Sequence, residues 1–155
     1  MSDKSPNRKV LLKNKKAFYN FEVLEKLECG ISLQGTEVKS IKSGRMSFSD
    51  SYCRIREGEL FLIGFHISQY PLGNINNHDP DRERKLLVHK QEIKRLKRKV
   101  LEKGLTLVPL SVYLKRGMVK IEVGLCRGKK LYDKREDIKR RDLKRDADRE
   151  LRHRL

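Results

Sequence analysis

The C-terminal stretch GKKLYDKREDIKRRDLKRDADRELRHRL, from Gly128 to Leu155, has too little apolar content to join a core. From Arg127 onward it carries 13 Lys or Arg against 7 Asp or Glu, and Leu143, Ala147, Leu151 and Leu155 recur only at every fourth position. One narrow apolar stripe cannot hold so polar a helix together in isolation. The chain therefore divides into a flexible polar start over 1–7, a compact body over 8–127, and a basic tail over 128–155. The tail is expected to be disordered when free and helical when seated on a partner.

The body has the same sign of charge. In all, 38 Lys plus Arg stand against 21 Asp plus Glu, a formal net charge of +17 and a pI near 10.0. Such a chain attracts polyanions, and nucleic acid is the expected partner. The 37% of apolar residues suffices for one core if the tail is left out of it. No run approaches the roughly 18 apolar residues of a membrane span, and MSDKSPNRKV lacks the apolar middle of a secretory signal. The expected setting is the cytoplasm, with no membrane association and a monomeric chain. Cys29, Cys53 and Cys126 are isolated, and His66, His78, His89 and His153 are scattered, so reduced buried thiols are expected and no metal or cofactor.

Along the body, Lys9 to Leu12 predicts an opening strand, and the aromatic and β-branched run Phe18 to Leu27 a longer one. Gly30 inside a strand pattern predicts a bulge or bend. Gly35 to Gly44 reads as a short helix with Val38 and Ile41 on one face and Thr36 as its N-cap. Ser51 to Arg56 and Leu60 to Ser68 flank the turn dipeptide Glu57-Gly58, a hairpin. Tyr70 to Arg84, with Pro71, Gly73 and Asp79-Pro80, reads as a long loop, either functional or a connector. Leu86 to Lys103 predicts a helix with Ile93, Leu96, Val100 and Leu101 on its apolar face, ended by Gly104. Leu105 to Leu114 and Met118 to Leu125 form a second hairpin, with Val119, Ile121, Val123 and Leu125 turned inward and Lys120 and Glu122 outward. Six or so short strands with two or three helices make a mainly β fold, a small antiparallel OB-like barrel with a basic C-terminal tail. A ferredoxin-like arrangement fits less well, because the helices do not alternate with the strands.

The cluster Asn14, Lys15, Lys16 offers an amide and two cations to phosphates or a base edge, and Lys39, Lys42 and Arg45 add charge beside the short helix. Glu28 is the odd residue, a carboxylate in a basic surface. It repels phosphate, and it is suited to accept hydrogen bonds from base amino or imino groups or a ribose hydroxyl. An ion pair with a neighbouring Lys is its alternative role.

Four ordered segments, GTEVKSIKSG (35–44), SFSDSY (47–52), NHDPDRERKLLVH (77–89) and GKKLYDKRED (128–137), resemble the SsrA-binding protein family, small protein B, the partner of transfer-messenger RNA in bacterial ribosome rescue. The resemblance runs from Asn14 to the tail. It implies an RNA-binding set of Asn14, Lys15, Lys16, Glu28, Gly30, Thr36, Glu37, Lys39, Ser40, Arg45, Lys85, Leu87 and His89. Within that set, Glu28, Leu87 and His89 are implied at the elbow of the tRNA-like domain. It also implies a tail that enters the ribosomal decoding region and the vacant messenger channel, carried by Gly128, Lys129, Lys130, Tyr132, Asp133, Lys134 and Arg135. There Tyr132 is suited to stack on a base and the cations to meet phosphate. Two rivals are a general ribosome-associated OB protein and an RNA-processing hydrolase using Glu37, Asp50 or Asp79.

Overall fold

The computed structural model describes residues 8–72, 77–129 and 131–154. In chain order these form β1 (Arg8–Lys13), α1 (Lys15–Asn20), β2 (Phe21–Ile31), α2 (Gly35–Lys42), β3 (Met46–Ser47), β4 (Tyr52–Arg56) and β5 (Glu59–Ile63). There follow β6 (His66–Ile67), β7 (Arg84–Leu87), α3 (Lys90–Lys103), β8 (Thr106–Lys115), β9 (Met118–Gly128) and α4 (Leu131–Arg154). Seven strands make one antiparallel sheet in the order β1-β8-β9-β2-β7-β5-β4, and β3 pairs with β6 separately. Cα atoms of β4 and β8 come within 8 Å of each other, so the sheet curls. Among the described residues no ladder closes it into a barrel.

Both hairpins form as their turn residues dictate. Arg56 pairs with Glu59 and Lys115 with Met118, leaving two-residue loops. Glu57 and Gly58 have φ of 53° and 73°, and Arg116 and Gly117 of 52° and 78°. A two-residue turn whose twist matches its strands needs φ above zero at both central positions, and glycine takes the second without steric cost.

The main core lies on one face of the sheet. Cys29, Leu60, Leu62, Leu86, Val112, Ile121 and Val123 meet Ile41 from α2 and Ile93 and Leu96 from α3 there. A second cluster on the opposite face joins Ala17 of α1 to Val108, Leu110 and Cys126, with Phe18, Phe21 and Val23 against it. This second cluster corrects the expected half-buried hairpin: residues 121–126 of β9 are buried on both faces, Glu122 and Gly124 included. Burial pushes the Cys29 thiol up to about 12 and Cys126 to about 11, and all three cysteines are free of disulfides.

Local expectations fail where a distant contact decides. Phe18 to Asn20 are helical rather than extended, because Asn14 caps α1 by accepting from the Ala17 amide at 3.3 Å and Ala17 docks on β8 and β9. Gly30 is regular strand; the β2 irregularity lies between Val23 and Glu25. Gln34, not Thr36, is the N-cap of α2. Leu86 and Leu87 belong to β7, where Leu86 pairs with both Leu60 and Ile31. Leu86 also falls seven residues before Ile93, so the helical period continues through a strand. Leu101 is 73% exposed and leaves the apolar face of α3.

Helix α3 is tied to β2 by Glu25, which accepts from Arg95 at 2.5 Å and Lys99 at 3.0 Å. Hydrogen bonds from Arg95 and then Lys99 outweigh desolvation and draw the Glu25 carboxyl from 4.5 to about 2. A carboxyl depressed by folding contributes stability above the unfolded value, lost as pH falls through the folded one. Stability should therefore fall between pH 4.5 and about 2, and Glu25→Gln should flatten that slope in urea unfolding series. An unchanged slope would assign the acid sensitivity elsewhere.

Candidate nucleic-acid interface

Strand alternation brings several sequence-predicted residues to the sheet face opposite the main core. Glu28 pairs in register with Glu122, and Gly30 with Lys120 on one side and Leu87 on the other, so Glu28, Gly30, Leu87, Lys120 and Glu122 share that face. Leu87 is 53% exposed. A Cβ on Gly30 would lie 3.2 Å from the Leu87 Cβ. Glycine at 30 is thus what lets Leu87 lie across the strand, and His89 follows, exposed at the N-cap of α3. Lys85, exposed on β7, is paired with Glu59 at 2.7 Å.

Glu28 is held at the centre of this face. The Tyr113 hydroxyl donates to its Oε2 at 2.5 Å, and Lys115 Nζ lies 3.3 Å from Oε1. The Tyr113 hydrogen bond, with help from Lys115 and against desolvation, holds the Glu28 carboxyl below its ordinary range. Part of the alternative role is therefore real: Glu28 has a lysine neighbour, yet its side chain stays 38% exposed.

The motif residues of α2 do a different job. Glu37 is fully buried and accepts from the Gln34 amide at 2.8 Å, Arg82 at 2.6 Å and Arg84 Nε at 2.5 Å. Burial alone would raise its carboxyl, but Arg82, the Gln34 amide and Arg84 together hold it low. Arg84, also fully buried, donates onward to the carbonyls of Phe65, Pro80 and Asp79. His78 bridges the Ile67 carbonyl at 2.8 Å and the Thr36 hydroxyl at 2.9 Å. The described part of the 70–84 loop is thereby sewn to α2 and covers that end of the sheet. Thr36 and Glu37 are engaged in this clamp, Glu37 and Ser40 are fully buried, and Thr36 stays half-buried. Their neighbours Lys39, Lys42 and Arg45 are exposed. Lys39 Nζ lies 5.6 Å from the Tyr70 ring.

Asn14 is likewise consumed by the fold. Its amide donates to the Pro109 carbonyl at 2.8 Å while its oxygen caps α1, so both ends of the side chain expected at a phosphate or base edge have partners within the fold. What it achieves is to present Lys15 and Lys16, both exposed, at the start of a helix. Lys16 pairs with Asp50 at 2.7 Å. Sequence reasoning missed Tyr113, His78, Arg82 and Arg84 as determinants; the only signal was that three of them sit inside the NHDPDRERK motif.

The tail leaves the sheet at Gly128, the residue paired with Phe21. Lys129 donates its amide to the Asn20 carbonyl at 2.9 Å and its Nζ to the Phe18 carbonyl at 3.0 Å, fastening the exit to α1. In α4, Lys134 Nζ and Arg141 stand 5.8 and 6.0 Å from the Tyr19 ring. Arg135 is exposed. Lys130 and the side chains of Tyr132 and Asp133 lie outside the described residues. Phe18 and Tyr19, with Lys13, Lys15 and Arg141, line an open cavity of about 350 Å³.

The carboxylates of the hydrolase alternative do not converge: Glu37 is held by arginines, Asp50 by Lys16, and Asp79 accepts from the Asp81 amide. Among the described residues no group of three His, Cys, Asp or Glu is placed to hold a metal ion.

Comparison with known proteins follows the same lines. The family model for SmpB protein matches residues 11–153. The SsrA-binding protein of Treponema denticola is 57% identical over 143 residues, 92% of this chain and 93% of the relative. That of Syntrophobacter fumaroxidans is 54% identical over 141 residues, 91% and 88% of the two chains, and that of Borreliella burgdorferi 51% over 144, 93% and 96%. A solved chain described under "tmRNA-SmpB: a journey to the center of the bacterial ribosome" is 50% identical and superposes with a TM-score of 0.64, covering 77% of this chain and 85% of that one.

Proposed function

This chain belongs to the SsrA-binding protein family, and from that premise we infer that it is an RNA-binding adaptor of trans-translation, not an enzyme. It binds the tRNA-like domain of transfer-messenger RNA and accompanies it to stalled ribosomes in the cytoplasm. The observation that carries the reading is the shared sheet face: Glu28, Gly30 and Leu87 come together from β2 and β7, with His89 following at the start of α3. The curled sheet behind them is an OB-like barrel left open, supported by the approach of β4 to β8.

That face suits a folded RNA elbow better than a duplex. Structured RNA shows its unstacked bases in loops, and a carboxylate selects among them by accepting from N–H or ribose hydroxyl donors while phosphate is repelled. Leu87 supplies an exposed apolar contact beside it. Lys15, Lys39, Lys42 and Arg45 add phosphate contacts that set affinity and register without reading sequence. The tail, fastened at Lys129 and running through Lys134 and Arg135, occupies the decoding region and empty messenger channel. A free helix so polar has no core to join, so ribosomal RNA completes its folding.

Competition of the tRNA-like domain against excess bulk tRNA near physiological salt tests this, since screening removes indiscriminate attraction. The intact chain should stay bound to the tRNA-like domain. Glu28→Ala should lose about tenfold or more of that preference, while binding to unrelated RNA is unchanged. Full displacement of the intact chain by bulk tRNA would leave only a general ribosome-associated RNA binder.

A further inference from the structure

We propose that Tyr113, a side chain with no exposed surface, is the positioning residue that sets RNA discrimination by fixing the orientation of Glu28. This rests on the reading of Glu28 as an RNA contact and adds what makes that contact selective. Glu28 and Glu122 face each other in register on neighbouring strands, a like-charge arrangement that is unfavourable unless each carboxylate has its own partner. The fold divides the partners. Arg8 donates to Glu122 Oε2 at 2.9 Å, and Lys26 Nζ stands 3.9 Å from Oε1. Glu28 instead receives the Tyr113 hydroxyl at 2.5 Å, with Lys115 at 3.3 Å.

A phenol is a different partner from an ammonium. It donates one short directional hydrogen bond to Oε2 and brings no net charge. Lys115 Nζ instead straddles the carboxylate at 3.3 and 3.4 Å, from a side chain that is 40% exposed and can yield Oε1 to an incoming donor. The phenol itself cannot swing: the Arg8 guanidinium lies 3.7 Å over the Tyr113 ring, and that guanidinium is anchored on Glu122. A chain from β1 through β8 to β2 therefore holds one exposed carboxylate in one rotamer. An acceptor already aimed selects an N–H or hydroxyl donor without first losing rotamer freedom.

Tyr113→Phe removes the hydroxyl and keeps the ring beneath Arg8. In the competition against bulk tRNA, the full-length variant should lose about tenfold of its preference for the tRNA-like domain, with binding to unrelated RNA unchanged. In a Glu28→Ala background the same change should do nothing further. The pH profile separates aiming from mere packing. The charged and titratable groups facing Glu28 are Tyr113 and Lys115 on β8 and Lys120 and Glu122 on β9, with Lys26 beside it on β2 and Arg8 reaching it through Tyr113. Without the phenol hydrogen bond the Glu28 carboxyl moves back up, so the variant's discrimination should fail at a higher pH on acidification than that of the parent chain. Equal loss on all RNAs, or an unshifted profile, would make Tyr113 a structural residue and overturn the proposal. Full discrimination in Tyr113→Phe beside lost discrimination in Glu28→Ala would overturn it while leaving the interface reading intact. A silent Glu28→Ala would remove the reading beneath both.

Discussion

A charge-preserving scramble of residues 129–155 is expected to abolish ribosome rescue while leaving affinity for the tRNA-like domain within about threefold, below 1 kcal/mol. The face proposed to meet the elbow lies on β2 and β7, and none of its residues is in the tail. Net charge is unchanged, so the counterion-release contribution and its salt slope stay nearly constant. What the scramble destroys is position. The Lys129 ammonium no longer reaches the Phe18 carbonyl beside the point where the tail leaves the body, and Lys134 and Arg141 no longer stand near the Tyr19 ring. In the native order α4 projects 24 residues, about 36 Å at 1.5 Å per residue, from a defined root. Peptide tagging on stalled ribosomes reconstituted with transfer-messenger RNA reads the first quantity, and filter binding at matched salt the second. Retained tagging would reduce the tail to an electrostatic tether. Loss of RNA binding in parallel would show that the tail is part of the elbow site.

Which features were legible in the sequence follows from how far apart the deciding residues are. The Glu57-Gly58 turn and the Gly104 stop of α3 are settled within a few residues and form as expected, while the second hairpin turns one residue tighter than the expected 115–117 connection because Lys115 still pairs with Met118. Asn14 looked like a free polar residue because the carbonyl that engages it, Pro109, is 95 positions away. The Tyr113 hydroxyl is 85 positions from Glu28, and Arg84 is 47 from Glu37. No local pattern encodes such pairs. The four ordered segments pointed to the family, and they did not show which of their residues hold the fold together. Thr36 and Glu37 bind the 77–84 segment, while Gly30 and Leu87, which look like backbone and core residues, form the exposed face. In the tail, the density of charged residues concealed that Lys129 is an internal anchor.

The same long-range pairing makes Arg84→Met the most destabilising single change expected in the body. Arg84 and Glu37 are both fully buried, and their link ties β7 to α2. Removing one member leaves the other without its fully buried partner in a low-dielectric interior, which costs about 3–5 kcal/mol. The Phe65 carbonyl loses its Arg84 donor at the same time, while the Pro80 and Asp79 carbonyls keep the backbone amides of Ile67 and Arg82. In the intact pair desolvation pushes the Arg84 guanidinium down and the hydrogen bond to Glu37 opposes it. A small domain has about 5–15 kcal/mol in total, so the variant should unfold at a much lower urea midpoint with an unchanged slope. Glu37→Met combined with Arg84→Met removes both charges, and much of the loss should return, giving a coupling of about 1–3 kcal/mol in a double-mutant cycle. Arg82, which also donates to Glu37 but is 32% exposed, can turn to water and limits the damage in the double variant. A loss below about 1 kcal/mol in Arg84→Met would mean that water reaches the pair, and that α2 and the 77–84 segment are held by His78 and the apolar contacts instead.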